Sequence, residues 1–409
     1  MSAPRPAHPA GRRGALRRLG ASGLGIGLGL AGAGVAAPSR AQAGPPVDSA
    51  PLRVQPVAQG LVHPWGLACL PDGRLLVSER PGRLRLLTPE GTAARVGPPL
   101  AGLPPVAAVG QGGLLDVALS PGFAEDRWVC WSYAEPAAGG ANATAVARGR
   151  LLGPAGAERL AEVQVIFRQQ PAVASRLHFG SRLAFGHDGR LFVTLGDRYE
   201  RADDAQRLDN LLGKIVRLEP DGRVPADNPL VGRSDLPPGT RPEIWSWGHR
   251  NVQGAAVHPR TGTLWATEHG PQGGDELNRI RRGGNHGWPV ITHGRQYVTG
   301  ARIGEGSERA DVVAPLATWL PTSIAPSGLA FLTSDRYPGW QGDLFLGALR
   351  GQALLRLTLD GGPDAERVVG QQRLLSEAGE RIRDVRQGAD GWLYLLTDAA
   401  EGRLLRVLR

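Results

Sequence analysis

Lysine is almost absent: Lys214 is the only one in 409 residues, and arginine carries nearly all of the positive charge. Six of the arginines (Arg5, Arg12, Arg13, Arg17, Arg18 and Arg40) fall in the first 43 residues, which hold no acid, so the formal +9 of the chain drops to +3 beyond them. No clustered basic run remains there, which argues against a protein that grips nucleic acid through its phosphates. Cysteine is scarce as well. Cys69 and Cys130 lie on separate apolar stretches, either as a pair in an oxidising compartment or as two buried thiols. The absence of a C-x-x-C-H motif excludes an attached c-type haem. Helical periodicity is weak almost everywhere, and the uncharged run from Ala21 to Ala37 spans 17 residues diluted by glycine, too short for a comfortable membrane span.

That run has a clear use. Arg12-Arg13 and Arg17-Arg18 precede it and Ala41-Gln42-Ala43, a small-x-small site for signal peptidase, follows it. Residues 1–43 therefore read as an export signal, by the twin-arginine or the general route. The expected product is a periplasmic or secreted chain of residues 44–409 with no stable membrane span. Glycine (59) and proline (34) make up near a quarter of the sequence while 41% is hydrophobic, so the chain is globular and rich in turns.

Six segments share one grammar, a short apolar strand, a turn and a second apolar strand. Five of them place an alanine in one column, Ala68, Ala118, Ala184, Ala256 and Ala330, and the sixth has Arg386 there, at spacings of 50, 66, 72, 74 and 56 residues. Each spacing is wide enough for a four-stranded sheet with its loops. Pro71-Asp72-Gly73, His187-Asp188-Gly189, Arg260-Thr261-Gly262 and Ala389-Asp390-Gly391 supply the hairpin turns. Six all-β units with no helices between them predict a six-bladed β-propeller of four-stranded antiparallel blades, read as one domain over residues 44–409. Leu52 to Val57 would close the ring against Gly402 to Val407.

A propeller tells where polar residues converge. The first strand of each blade lines the channel and the second returns antiparallel, so first-strand starts and second-strand ends meet on one face. The starts carry His63, Gln111, His178, Arg250, Asn251, Gln253, Ser327, Arg381 and Arg383; the ends carry Asp197, Glu268, His269, Arg350 and Asp398. Several arginines, a histidine, a carboxylate and amides around one axis suit a planar polyanion together with a proton-transfer step. His187, His249 and His258 read as turn or support positions. Gly270-Pro271-Gln272-Gly273-Gly274-Asp275-Glu276 combines a kinked backbone with adjacent carboxylates, a pattern suited either to calcium or to a solvated loop. A turn at Gly283 to Pro289 would bring His286 near Glu276.

The motifs around His178 to Leu183, Gly196-Asp197, His249 to Gly254, Gly270-Pro271 with Asp275-Glu276, Asn285 to Pro289 and Arg381 to Val385 resemble the soluble aldose sugar dehydrogenases that depend on pyrroloquinoline quinone (PQQ). The resemblance covers nearly the whole mature chain. It implies oxidation of a sugar's anomeric hydroxyl to a lactone, with hydride passing to calcium-activated PQQ and onward to a separate acceptor such as a cytochrome, a quinone or a dye. By motif, His178 would be the general base near its ordinary pKa, oriented by Asp197, with Arg250 stabilising the developing oxyanion. Arg250, Asn251, Arg381 and Arg383 would hold the cofactor, joined by Arg350 where the family usually has lysine, and Trp319 would lie above its ring. Gln111 and Gln253 would line the sugar pocket. Gly270 and Pro271 would give carbonyls to the catalytic calcium, and Asp275, Glu276 and His286, the last through its backbone, would serve the metal sites. Two other classes compete, a calcium-dependent lactonase on a similar propeller and a secreted binding module without cofactor.

Overall fold

Short apolar runs divided by Asp-Gly and related turns become hairpins, because the turn supplies positive φ and each run buries its side chains between neighbouring sheets. The turn glycines Gly73, Gly189, Gly262 and Gly391 have φ of 86°, 76°, 71° and 82°. The computed structural model describes residues 47–48, 52–360 and 367–409. The export signal read over residues 1–43 lies outside them.

Six sheets are arranged around one axis. Their innermost strands, blades 1 to 6 in order, are Pro64–Cys69, Leu114–Leu119, Gly180–Phe185, Val252–Val257, Pro326–Phe331 and Ile382–Gln387. Each contacts the next, and the sixth returns to the first. The six-bladed propeller is therefore as expected, with one refinement: blades 3 and 5 each gain a short fifth strand, Gly284–Asn285 and Val47–Asp48, added parallel at the outer edge. Blade 6 is closed by Arg53–Leu61 pairing antiparallel with Gly402–Leu408, so the two ends of the described chain lock the ring. Among the described residues no helix is long and apolar enough to cross a membrane.

The alanine column has a steric meaning. Ala68, Ala118, Ala184, Ala256 and Ala330 each sit in the apolar layer between their own blade and the next, where a larger side chain would push the sheets apart. Arg386 departs from the column because blade 6 uses that place for charge. Its guanidinium reaches Asp384 at 3.1 Å and Asp116 at 3.2 Å. Arg182, Asp116 and Asp384 are fully buried on the axis, with Arg182 at 3.1 Å from Asp116, 3.0 Å from Asp384, and stacked 4.1 Å over Trp65. Gly66 makes this possible, since a Cβ there would lie 2.6 Å from the Asp116 carboxylate.

Every innermost strand carries a register shift near its start. A hydroxyl from each of the first five blades bonds to the following blade at this level: Ser78 to the carbonyl of Leu115, Ser132 to Ser181, Thr194 to Val252, Thr267 to Ser327 and Ser327 to Ile382. Bulges re-aim the residues beside them. Here they lie at the strand starts that face the channel mouth, and that places the candidate site.

Candidate active site

His178 occupies the loop just before the inner strand of blade 3 with φ of 51°, a left-handed conformation that costs on the order of 1–3 kcal/mol and that the surroundings hold in place. Its backbone N–H donates to Gln111 Oε1 at 2.8 Å. Its Nδ1 lies 2.7 Å from Asp197 Oδ1, and Asp197 also accepts from Tyr199 N at 2.8 Å and from Trp288 Nε1 at 2.7 Å. A carboxylate on Nδ1 keeps the proton there and leaves the Nε2 lone pair available. Both residues are buried. Burial and the nearby Arg250 and Arg198 guanidiniums hold His178 below the ordinary imidazole value of 6.5, against the opposing pull of Asp197. The sequence predicts an unshifted imidazole because the burial and the charges responsible depend on loops that only the fold brings together.

Arg250 lies buried between blades 3 and 4, its guanidinium 5.3 Å from the Trp288 ring centre. Its Nη1 donates to the carbonyls of Gly270 at 2.7 Å and His269 at 3.1 Å, and its backbone N–H donates to Glu268 Oε2 at 2.7 Å. Glu268 Oε1 is held in turn by His249 Nδ1 and Asn278 Nδ2, both at 3.0 Å, and burial pushes its carboxyl up. His249 is thus a support, as its turn position implied.

Gln111, Asn251, Gln253, Arg381 and Arg383 line one cavity at the channel mouth, together with His269, Arg80 and Asp398 and apolar walls from Trp65, Leu115, Phe179 and Leu349. Gln253 joins three blades: its amide donates to Gly180 O and Asn251 Oδ1, both at 3.2 Å, and its oxygen accepts from Arg383 Nη1 at 3.0 Å. Asp398 takes Arg381 at 2.9 Å and Arg383 at 3.3 Å. Three guanidiniums therefore face one carboxylate. Burial lowers Arg383 to about 10 in spite of Asp398, and the buried Nε atoms of Arg250 and Arg383 have no hydrogen-bond partner. This donor set fits a planar polyanion such as the quinone, whose carboxylates would relieve the excess positive charge.

Three expected placements are corrected. Trp319 does not overhang the cavity; it ends the outermost strand of blade 4 (Ala317–Trp319), is buried in the layer against blade 5, and donates from Nε1 to Gln371 at 2.9 Å. The aromatic walls are Trp65 and Phe179 instead, and Trp65 reads in sequence only as the start of an apolar strand. Asp275 is engaged chiefly by protein donors. Its carboxylate accepts from Gly270 N (2.9 Å), Ser323 Oγ (2.7 Å), Ile324 N (2.7 Å) and Ala325 N (2.9 Å), so it ties two loops of blade 4 and its neighbour together. Arg350 is exposed and is not among the residues lining the cavity; Leu349 takes that place.

The residues expected to hold calcium are only partly assembled. Glu276 and His286 line one narrow cleft, next to Thr292, Ser307 and Glu308. The buried His286 ring stacks 4.6 Å from His249, and neither of its nitrogens has a hydrogen-bond partner. Among the described residues no three His, Cys, Asp or Glu side chains converge as a metal cage, so calcium here would draw on carbonyls such as those of Gly270 and Pro271, in keeping with its preference for mixed oxygen shells. Cys69 and Cys130 are free thiols, each pushed up to about 12 by burial, and neither joins the site.

Residues 61–406 match the family model described as glucose / sorbosone dehydrogenase. The aldose sugar dehydrogenase YliI of Escherichia coli is 43% identical over 364 residues, covering 88% of this chain and 93% of the relative. A crystal structure of a glucose dehydrogenase superposes with a TM-score of 0.81 at 49% identity, covering 87% of this chain and 99% of the other. The PQQ-bound aldose sugar dehydrogenase of Streptomyces coelicolor superposes with a TM-score of 0.68 at 30% identity, covering 89% and 99%.

Proposed function

Given that the chain belongs to the glucose / sorbosone dehydrogenase family, we propose that it is a PQQ-dependent aldose dehydrogenase that oxidises the anomeric hydroxyl of aldoses to lactones. One observation carries the reading: a buried His178–Asp197 pair stands beside a cavity in which three guanidiniums face a single carboxylate. An alcohol going to a carbonyl gives up two electrons and two protons. His178 Nε2 takes the hydroxyl proton, because Asp197 holds Nδ1 as the donor. Arg250, within electrostatic reach of His178, stabilises the negative charge that grows on the oxygen as the proton leaves. Trp288 and Tyr199 fix the carboxylate and so fix the imidazole.

PQQ, when bound, supplies the two-electron acceptor, and calcium supplies the positive charge that makes it more electrophilic. Arg381, Arg383, Asn251 and Gln253 would hold the quinone. Gly270, Pro271 and, at a second position, Glu276 and His286 would serve calcium. Reconstitution tests the whole reading. Dye reduction by an aldose should require both PQQ and a divalent cation; activity with NAD alone, or lactone hydrolysis without quinone, would overturn it.

A second expected result concerns pH. The base must be neutral to act, and His178 is held below 6.5, so the acid limb of kcat/KM should lie below pH 6.5 and activity should persist above it. A limb centred above pH 7 would place the base on another residue.

A further inference from the structure

We propose that Arg80 is a third cationic arm of the cofactor site, receiving a carboxylate of the quinone from blade 1. This rests on the function proposed above and adds a residue to it. Second-strand ends in blades 4, 5 and 6 deliver His269, Leu349 and Asp398 to the cavity, and blade 1 has the same position: Arg80 follows its second strand, Leu75–Glu79, and lines the cavity.

The Arg80 backbone is pinned by donating to His63 O at 3.0 Å and accepting from Leu114 N at 3.1 Å. Gly113 stands against its stem with φ of 147°, and a Cβ there would lie 2.1 Å from Arg80 O and 2.5 Å from Arg80 Cγ. Glycine at 113 is what lets the arginine pass into the mouth.

Asp398 already pairs with Arg381 and Arg383, whereas the half-buried Arg80 guanidinium makes no hydrogen bond or ion pair with another described residue. It is near enough to lower both Asp398 and Arg383. Two guanidinium charges in excess, between the walls of Trp65, Leu115 and Leu349, call for a ligand with at least two carboxylates, each matched by an arginine fork. A neutral sugar cannot supply them.

The test is a fluorescence-quenching titration of calcium-saturated apoprotein with PQQ for wild type, Arg80→Ala, Arg80→Lys and Arg383→Ala, repeated at rising NaCl, with melting temperatures as the folding control. Arg80→Ala should raise the quinone Kd at least about tenfold, flatten its salt dependence and leave the apo melting temperature in place, and Arg80→Lys should recover part of the loss. A wild-type Kd in Arg80→Ala alongside a large loss in Arg383→Ala would overturn the assignment alone. Failure of the wild type to bind quinone would overturn the functional reading and this assignment with it.

Discussion

His178→Ala should lower kcat by about two to four orders of magnitude while changing the quinone Kd by no more than a few-fold, the signature of a lost general base. The geometry explains why the effect should fall on kcat. The His178 ring is held by Asp197 and makes an edge contact with Tyr199 at 5.2 Å, whereas its backbone, not its ring, engages the Gln111 side chain of the channel-mouth cavity. Truncation to alanine keeps that backbone bond and so keeps the cavity. Loss of the ring leaves the buried Asp197 carboxylate one partner short, which makes a modest fall in melting temperature compatible with the prediction. Near-normal turnover in a folded, quinone-binding variant would remove His178 from the chemistry.

Arg383→Ala should weaken quinone binding by about 3 kcal/mol, roughly a hundredfold or more, as expected when one partner of a buried charge pair is removed. Arg383 is buried at the mouth, hydrogen-bonded to Gln253 and ion-paired with Asp398, and its guanidinium lies 5.6 Å from the Trp65 ring centre. Arg381 shares Asp398 but leaves 46% of its side chain exposed. Solvent screens an exposed pair, so Arg381→Ala should cost distinctly less. The apoprotein should behave in the opposite sense. Burial already depresses Arg383 to about 10, with Arg182, Arg381 and Arg80 repelling it, so its removal should leave the apo melting temperature unchanged or higher. Equal and small losses of quinone affinity in both variants would mean that the two arginines serve only as ion pairs at the rim.

The fold and the set of polar residues at the channel mouth were legible without coordinates because both follow from local rules. An Asp-Gly turn between apolar runs forms a hairpin wherever it occurs, and six such units with one alanine column leave few architectures open. Once the propeller is named, strand starts and ends mark the polar residues at the mouth, His178, Asp197, Arg250, Arg381 and Arg383 among them, and the family resemblance singles these out. What the tertiary structure decided are pairings between residues far apart in the chain. Trp319 has the composition of a ring cover, yet its strand is the outermost of its blade. Asp275 has the composition of a metal ligand, yet Ser323, Ile324 and Ala325, about fifty residues on, all donate to its Oδ2. Arg182 meets Asp116 across 66 residues and the Arg383 carbonyl across 201, and Arg386 meets Asp116 across 270. Periodicity assigns a side chain to a face of its strand; which charge it meets there depends on ring closure, which juxtaposes all six blades at once.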